Sequence, residues 1–148
     1  MDKVLVASVA AIGAGALIAL QAPINATLGD SIGNVAAATV NFVVGAVILI
    51  AVTLVFAGGF GSLSAAGELP WYYTLGGGAV GAAFVVVAIV TVGTLGAGGI
   101  TAATLAGQLA ASVVIDRLGI LGLAEREITA GRVAGIALLL LGTYLVVR

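Results

Sequence analysis

Within the long apolar stretches of this 148-residue chain, the side chains able to recognise a solute are uncharged amides and hydroxyls. Their chemistry is hydrogen bonding. Gln21 and Asn25 stand four residues apart, so a helix carries both on one face, with Pro23 between them. Proline lacks an amide hydrogen and frees a carbonyl near residue 19, an opening that lipid tolerates only where protein or water satisfies it. The pair reads either as a kinked, ligand-facing element or as two amides bonding neighbouring helices. Asn34, Ala38, Asn41 and Gly45 follow a three-four spacing that puts Asn41 on a small, packable face. Thr101, Thr104, Gln108 and Ser112 recur at intervals of three and four, a stripe expected to face protein or water. An amide at membrane depth contributes about 0.6 to 2 kcal/mol as an interhelical tie. Asn41 and Gln108 are therefore read equally as glue or as pocket lining. Trp71, with Tyr72 and Tyr73, follows Pro70 and reads as an interfacial aromatic anchor or, more sharply, as an aromatic wall for an organic ligand.

Other chemistry is thin. The chain has neither cysteine nor histidine, which removes thiolate and imidazole catalysis and their metal sites. Its carboxylates, Asp2, Asp30, Glu68, Asp116, Glu125 and Glu127, fall at segment ends or in links, with no pair spaced to meet across a pocket. No enzyme, cofactor or metal is expected. No charge stands near the middle of any apolar segment, where a proton-coupled cation exporter would carry a carboxylate. Asp116 and Arg117 close one segment, where Arg117 suits the negative helix end and Asp116 does not. Pairing of Asp116 with Arg117 or with Arg132 is open on sequence alone. Five basic residues and a net charge of -1 leave no patch for nucleic acid.

The elements that must hold these groups are membrane helices. From Trp71 to Ile115 no side chain is charged. As one helix this stretch would reach roughly 68 Å, against a hydrocarbon core of about 30 Å. It must cross the membrane and cross back. With 62% hydrophobic and 7% charged residues and a mean hydropathy of +1.33, nearly the whole chain belongs in lipid or in protein packed within lipid. The apolar run from Val4 to Leu20 exceeds a signal-peptide core and is read as a retained span.

The expected fold is all-α, a single transmembrane domain over residues 1–148 with five helices at about 4–28, 34–56, 71–95, 101–115 and 128–147. Gly29-Asp30-Ser31 is the expected first turn, with Asn34 or Ser31 as a cap for the next helix. The glycine- and serine-rich stretch from Gly58 to Pro70 is the expected flexible link, Gly96, Gly98 and Gly99 the third turn, and Asp116 to Glu127 the fourth link. Lys3, Arg117, Arg126 and Arg132 then share one side and Arg148 stands on the other, which favours a cytoplasmic N-terminus. The bias is small enough to allow insertion both ways.

Glycine spacing points to helix contacts. Gly77 and Gly81 lie four apart, as do Gly131 and Gly135, with Gly142 seven residues further along. The first pair fits a contact within the chain or between chains; Gly131, Gly135 and Gly142 are read as a subunit interface.

Two motifs carry a family resemblance. Gln21-Ala22-Pro23-Ile24-Asn25-Ala26-Thr27-Leu28-Gly29 and Gly107-Gln108-Leu109-Ala110-Ala111-Ser112-Val113-Val114-Ile115-Asp116-Arg117-Leu118-Gly119 resemble the YdcZ-type family of bacterial inner-membrane proteins, in the drug/metabolite transporter superfamily. The segment from Gly131-Arg132-Val133-Ala134-Gly135 onward looks like the terminal dimerising helix of small multidrug resistance exporters. The resemblance implies a five-helix half-transporter of the bacterial inner membrane, pairing with an inverted copy of itself or with a paralogue. A small organic substrate would bind between the halves, with alternating access by rocking. Gln21, Asn25, Asn41, Gln108 and Ser112, with Trp71 as the aromatic alternative, are the substrate-site candidates. The first-helix glutamate of the small multidrug exporters has no counterpart here, which favours a neutral or zwitterionic solute. Three readings follow: an antiparallel homodimeric exporter, one subunit of an obligate heterodimer, and a membrane scaffold or regulatory subunit in which the amides are only glue.

Overall fold

The computed structural model describes residues 2–56, 59–121, 123 and 125–148. In chain order it contains α1 (Lys3–Ile32), α2 (Asn34–Phe56), a 3₁₀ helix (Gly59–Glu68), α3 (Trp71–Leu118) and α4 (Ala130–Val147), with no strand among the described residues. Four helices among these residues are long and apolar enough to cross a membrane. Large apolar side chains such as Val4, Ile12, Leu17, Val55, Val80 and Leu138 are exposed along them, as lipid-facing surface requires.

The chain divides into two compact units, Met1–Gly93 and Thr94–Arg148. In the first, α1 packs on α2, and Ala37, Ala38, Val85 and Ile89 form a small core flanked by Leu28, Phe84 and Val86. Two alanines at the centre let backbones approach closely, the usual route to helix association where lipid removes the hydrophobic drive. Gly81 serves the same end: a β-carbon there would touch the Phe42 ring at 3.4 Å, whereas Gly77 faces open space.

The first turn differs from expectation. α1 runs through Gly29, Asp30 and Ser31 and stops at Gly33, whose φ of 90° lies in the region that favours glycine. The Gly33 N–H donates to the Gly29 carbonyl at 2.7 Å. Gly29 instead serves packing. A β-carbon on it would lie 2.8 Å from Asn34 Oδ1 and 3.1 Å from Ile89 Cγ2. Asp2 caps the other end of α1 by accepting the Val4 N–H at 3.0 Å.

The link expected to be flexible is largely the 3₁₀ helix, within which Ser64 Oγ donates to the Gly61 carbonyl at 2.8 Å. Gly58, where that link was expected to open, lies outside the described residues. Of the three glycines expected to form the third turn, Gly96 alone leaves helical geometry (φ 70°, ψ 167°), dividing α3 into 71–95 and 97–118.

Gly98 and Gly99 remain helical and pack. β-Carbons there would lie 3.8 Å from Val146 Cγ1 and 3.5 Å from Val147 Cγ2, so in the second unit these glycines bring 97–118 against α4. Thr143 Oγ1, donating to the Ala102 carbonyl at 3.0 Å, ties the same two elements. The link between them is held down by polar contacts. Arg132 Nη2 lies 3.1 Å from Asp116 Oδ2, Arg117 pairs with Glu125, and the Arg126 N–H donates to the Asp116 carbonyl at 2.8 Å. The open question of Asp116's partner resolves to Arg132. Thr129 caps α4, its hydroxyl accepting the Arg132 N–H at 3.3 Å.

Candidate functional site

Helical periodicity on α1 and the α1–α2 packing bring three amides together in the first unit. Gln21 Nε2 donates to Asn41 Oδ1 at 3.4 Å, the long end of a hydrogen bond. Asn25, one turn beyond Gln21, is 6% exposed and is the buried polar residue among the described residues. A groove of about 370 Å³ runs between α1 and α2 and is lined by Leu17, Ile18, Gln21, Ile24, Asn25 and Asn41. Asn25 stands eight residues before Gly33 and Asn41 eight after it, so each amide lies about 12 Å along its helix from the reversal.

The Asn25 amide makes no hydrogen bond among the described residues, although a carboxamide offers one acceptor and two donor hydrogens. Buried polar groups are normally paired, and an unpaired one costs about 1–3 kcal/mol. The fully enclosed unpaired polar atom among the described residues is Arg132 Nη1, so the Asn25 amide is not sealed off and keeps access to the groove.

Pro23 sits inside α1 and does not end it. Having no N–H, it leaves the Ala19 carbonyl without its helical donor, two residues before Gln21. Its own carbonyl accepts from Thr27 Oγ1 at 3.0 Å.

In the second unit the hydroxyls of the stripe bond to their own helix. Thr101 Oγ1 donates to the Ala97 carbonyl at 2.7 Å, Thr104 Oγ1 to Ile100 at 2.8 Å and Ser112 Oγ to Leu109 at 2.9 Å. Each hydroxyl spends its proton on its own helix. Gln108 differs. It is exposed, and its amide makes no hydrogen bond among the described residues.

Trp71 is 72% exposed at the start of α3, stacked edge-on with Tyr72 at 6.2 Å, and does not line the amide groove. Tyr72 and Tyr73 follow at 4.7 Å between ring centroids. This is the arrangement of an interfacial aromatic cluster. Gly135 and Gly142 have open space where a side chain would stand, and Gly131 meets only Thr129 of its own turn at 3.9 Å. The α4 glycine face is thus unoccupied within the second unit. Leu17, Ile18 and Ile24, the apolar wall of the amide groove, escaped sequence reasoning because nothing distinguishes them from the lipid-facing residues of α1.

A family model described as "Putative inner membrane exporter, YdcZ" matches residues 6–145. No match was found among curated proteins or among solved structures.

Proposed function

The chain belongs to the YdcZ family of inner-membrane exporters, and on that premise we propose that it exports a small organic solute by alternating access, as an antiparallel homodimer of five-span subunits. Its place as a multi-pass inner-membrane protein follows from the family and from the long apolar helices. The observation that carries the transport reading is the amide groove. The Asn25 carboxamide is 6% exposed, makes no hydrogen bond among the described residues and lines the groove, which supports a ligand-facing role.

The five-span count is supported by the break at Gly96, since 71–95 and 97–118 are each long enough, at about 33 to 38 Å, to cross the hydrocarbon core. An odd number of spans makes a tandem repeat automatically inverted, so an inverted second copy completes the ten-helix arrangement. The open glycine face of α4 at Gly131, Gly135 and Gly142 supplies a close-packing surface for that copy.

One observation favours a second reading. Lys3, Arg117, Arg126 and Arg132 against Arg148 is a bias toward a single orientation, which fits a subunit that pairs with an oppositely oriented paralogue. Cysteine labelling separates the two. The native chain has no cysteine, and Ser31, in the last turn of α1, and Ser64, in the 3₁₀ helix, are exposed and flank α2 in the chain. In intact cells, Ser31→Cys and Ser64→Cys are each expected to label from both sides. Labelling of each from one side alone removes the homodimer and leaves the paralogous pair.

A further inference from the structure

Resting on the transport reading, we propose that the amide groove recognises an uncharged solute that carries a hydrogen-bond donor and acceptor side by side, as a carboxamide, urea or lactam does, on a small apolar body. Gln21, Asn25 and Asn41 each bring one carbonyl acceptor and two N–H donors. A single hydrogen bond among them, Gln21 Nε2 to Asn41 Oδ1 at 3.4 Å, spends one donor and one acceptor position. What remains is mixed. The Asn25 amide presents both kinds unspent, while Gln21 keeps its acceptor and Asn41 its donors. A ligand offering only acceptors or only donors would leave buried groups of the opposite kind unpaired, at about 1–3 kcal/mol each. A ligand with an adjacent donor and acceptor engages a carboxamide twice, in the planar fashion by which Asn and Gln read the donor–acceptor edge of adenine.

Charge is excluded by the surroundings. The other lining residues are Leu17, Ile18 and Ile24, so no lining side chain is ionisable. α2 carries no charged residue at all, and the charges of α1 are Asp2 and Lys3 at one end and Asp30 at the other. Asp30 is five residues beyond Asn25, about 140° around the helix, and exposed. An ion in this groove would be desolvated without a counter-charge, which is far costlier than seating a neutral polar group. Size is limited too. About 370 Å³ is near the lower end of the roughly 300–1,000 Å³ of small-ligand pockets.

The test uses the full chain in lipid nanodiscs with one cysteine, Ile24→Cys, on the groove wall, and reads protection of that thiol from maleimide. Neutral probes are benzamide, phenylurea and 2-pyridone; charged partners of matching body are benzoate and benzylammonium. At least one neutral probe is expected to slow alkylation at concentrations about tenfold lower than either charged probe requires. The near-isosteric Asn25→Leu is expected to raise the required concentration about tenfold or more, and Asn41→Leu to raise it too, with the probe-free alkylation rate unchanged and unfolding still cooperative. Protection by benzoate or benzylammonium at equal or lower concentration, still dependent on Asn25, overturns the neutral class and leaves the site. Neutral protection that persists in both variants overturns the amides as readers. Protection by no probe overturns the groove as a site for this solute class, while the homodimer on which the transport reading rests is tested separately by labelling at Ser31 and Ser64.

Discussion

The residue that sets this chain apart from a bundle of greasy helices is Asn25, buried to 6% exposure with its amide unspent. Polar spacing alone ranks it with Thr101, Thr104 and Ser112, yet those hydroxyls reach back to their own helix carbonyls and Asn25 does not. A hydroxyl one bond from Cβ reaches the carbonyl three or four residues back, and the Asn25 carboxamide makes no such bond among the described residues. Glycines sort in the same residue-by-residue way. A β-carbon on Gly29 would press on Asn34 and Ile89, while one on Gly13 meets nothing within 4 Å. Gly29→Ala is expected to destabilise the fold by about 1–2 kcal/mol through overpacking. Gly13→Ala should be neutral or stabilising by up to about 1 kcal/mol through helix propensity. Thermal unfolding of both variants in one detergent checks the pair, and equal effects would remove the packing role of Gly29. Sequence located the amides, their helices and their faces; it could not say which were already satisfied, because that depends on what lies within 3.5 Å in three dimensions.

At the scale of elements, what matters is how short links are fastened. The second unit uses two ion pairs of unequal worth to hold its link on the ends of 97–118 and α4. Arg132 and Asp116 are 30% and 26% exposed, Arg117 and Glu125 52% and 61%. A partly buried pair loses more when broken, since its remaining charge stays partly desolvated. Arg132→Ala is therefore expected to lower stability by about 2 kcal/mol, and Arg117→Ala by no more than about 1 kcal/mol. Unfolding midpoints at low and high salt report both, with the Arg117 effect the more strongly screened. Gly96 shows the limit of element reading. A run of glycines marks a break, but only the backbone reveals that Gly96 bears it and that Gly98 and Gly99 are contact residues of a continuing helix.

For the whole molecule, the outstanding feature is an α4 glycine face with no occupant in its own unit. Gly135→Leu puts a large side chain into space that is empty within 4 Å, so the subunit should fold as before. If α4 meets a second copy there, the same change abolishes the dimer. Cross-linking in native membranes and sedimentation in detergent are expected to show wild-type dimer and G135L monomer with the same helical content. A G135L dimer would move the interface elsewhere. A face of this kind serves a homodimer and a paralogous pair equally, so orientation labelling at Ser31 and Ser64 is the complementary measurement.

The sequence by itself determined the solvent. Sixty-two per cent hydrophobic residues and charge-free runs longer than the bilayer admit only membrane helices, because lipid leaves backbone polar groups no partner outside a helix. It also determined that the polar groups within the apolar runs are uncharged amides and hydroxyls. The tertiary structure decided where α1 ends, which glycines turn and which pack, that Asp116 takes Arg132, and that among the described residues Asn25 joins burial to an open hydrogen-bonding edge. Those are questions of distance between segments remote in sequence. In a chain built so largely of alanine, valine, leucine and glycine, neighbouring helix faces look alike until packing distinguishes them.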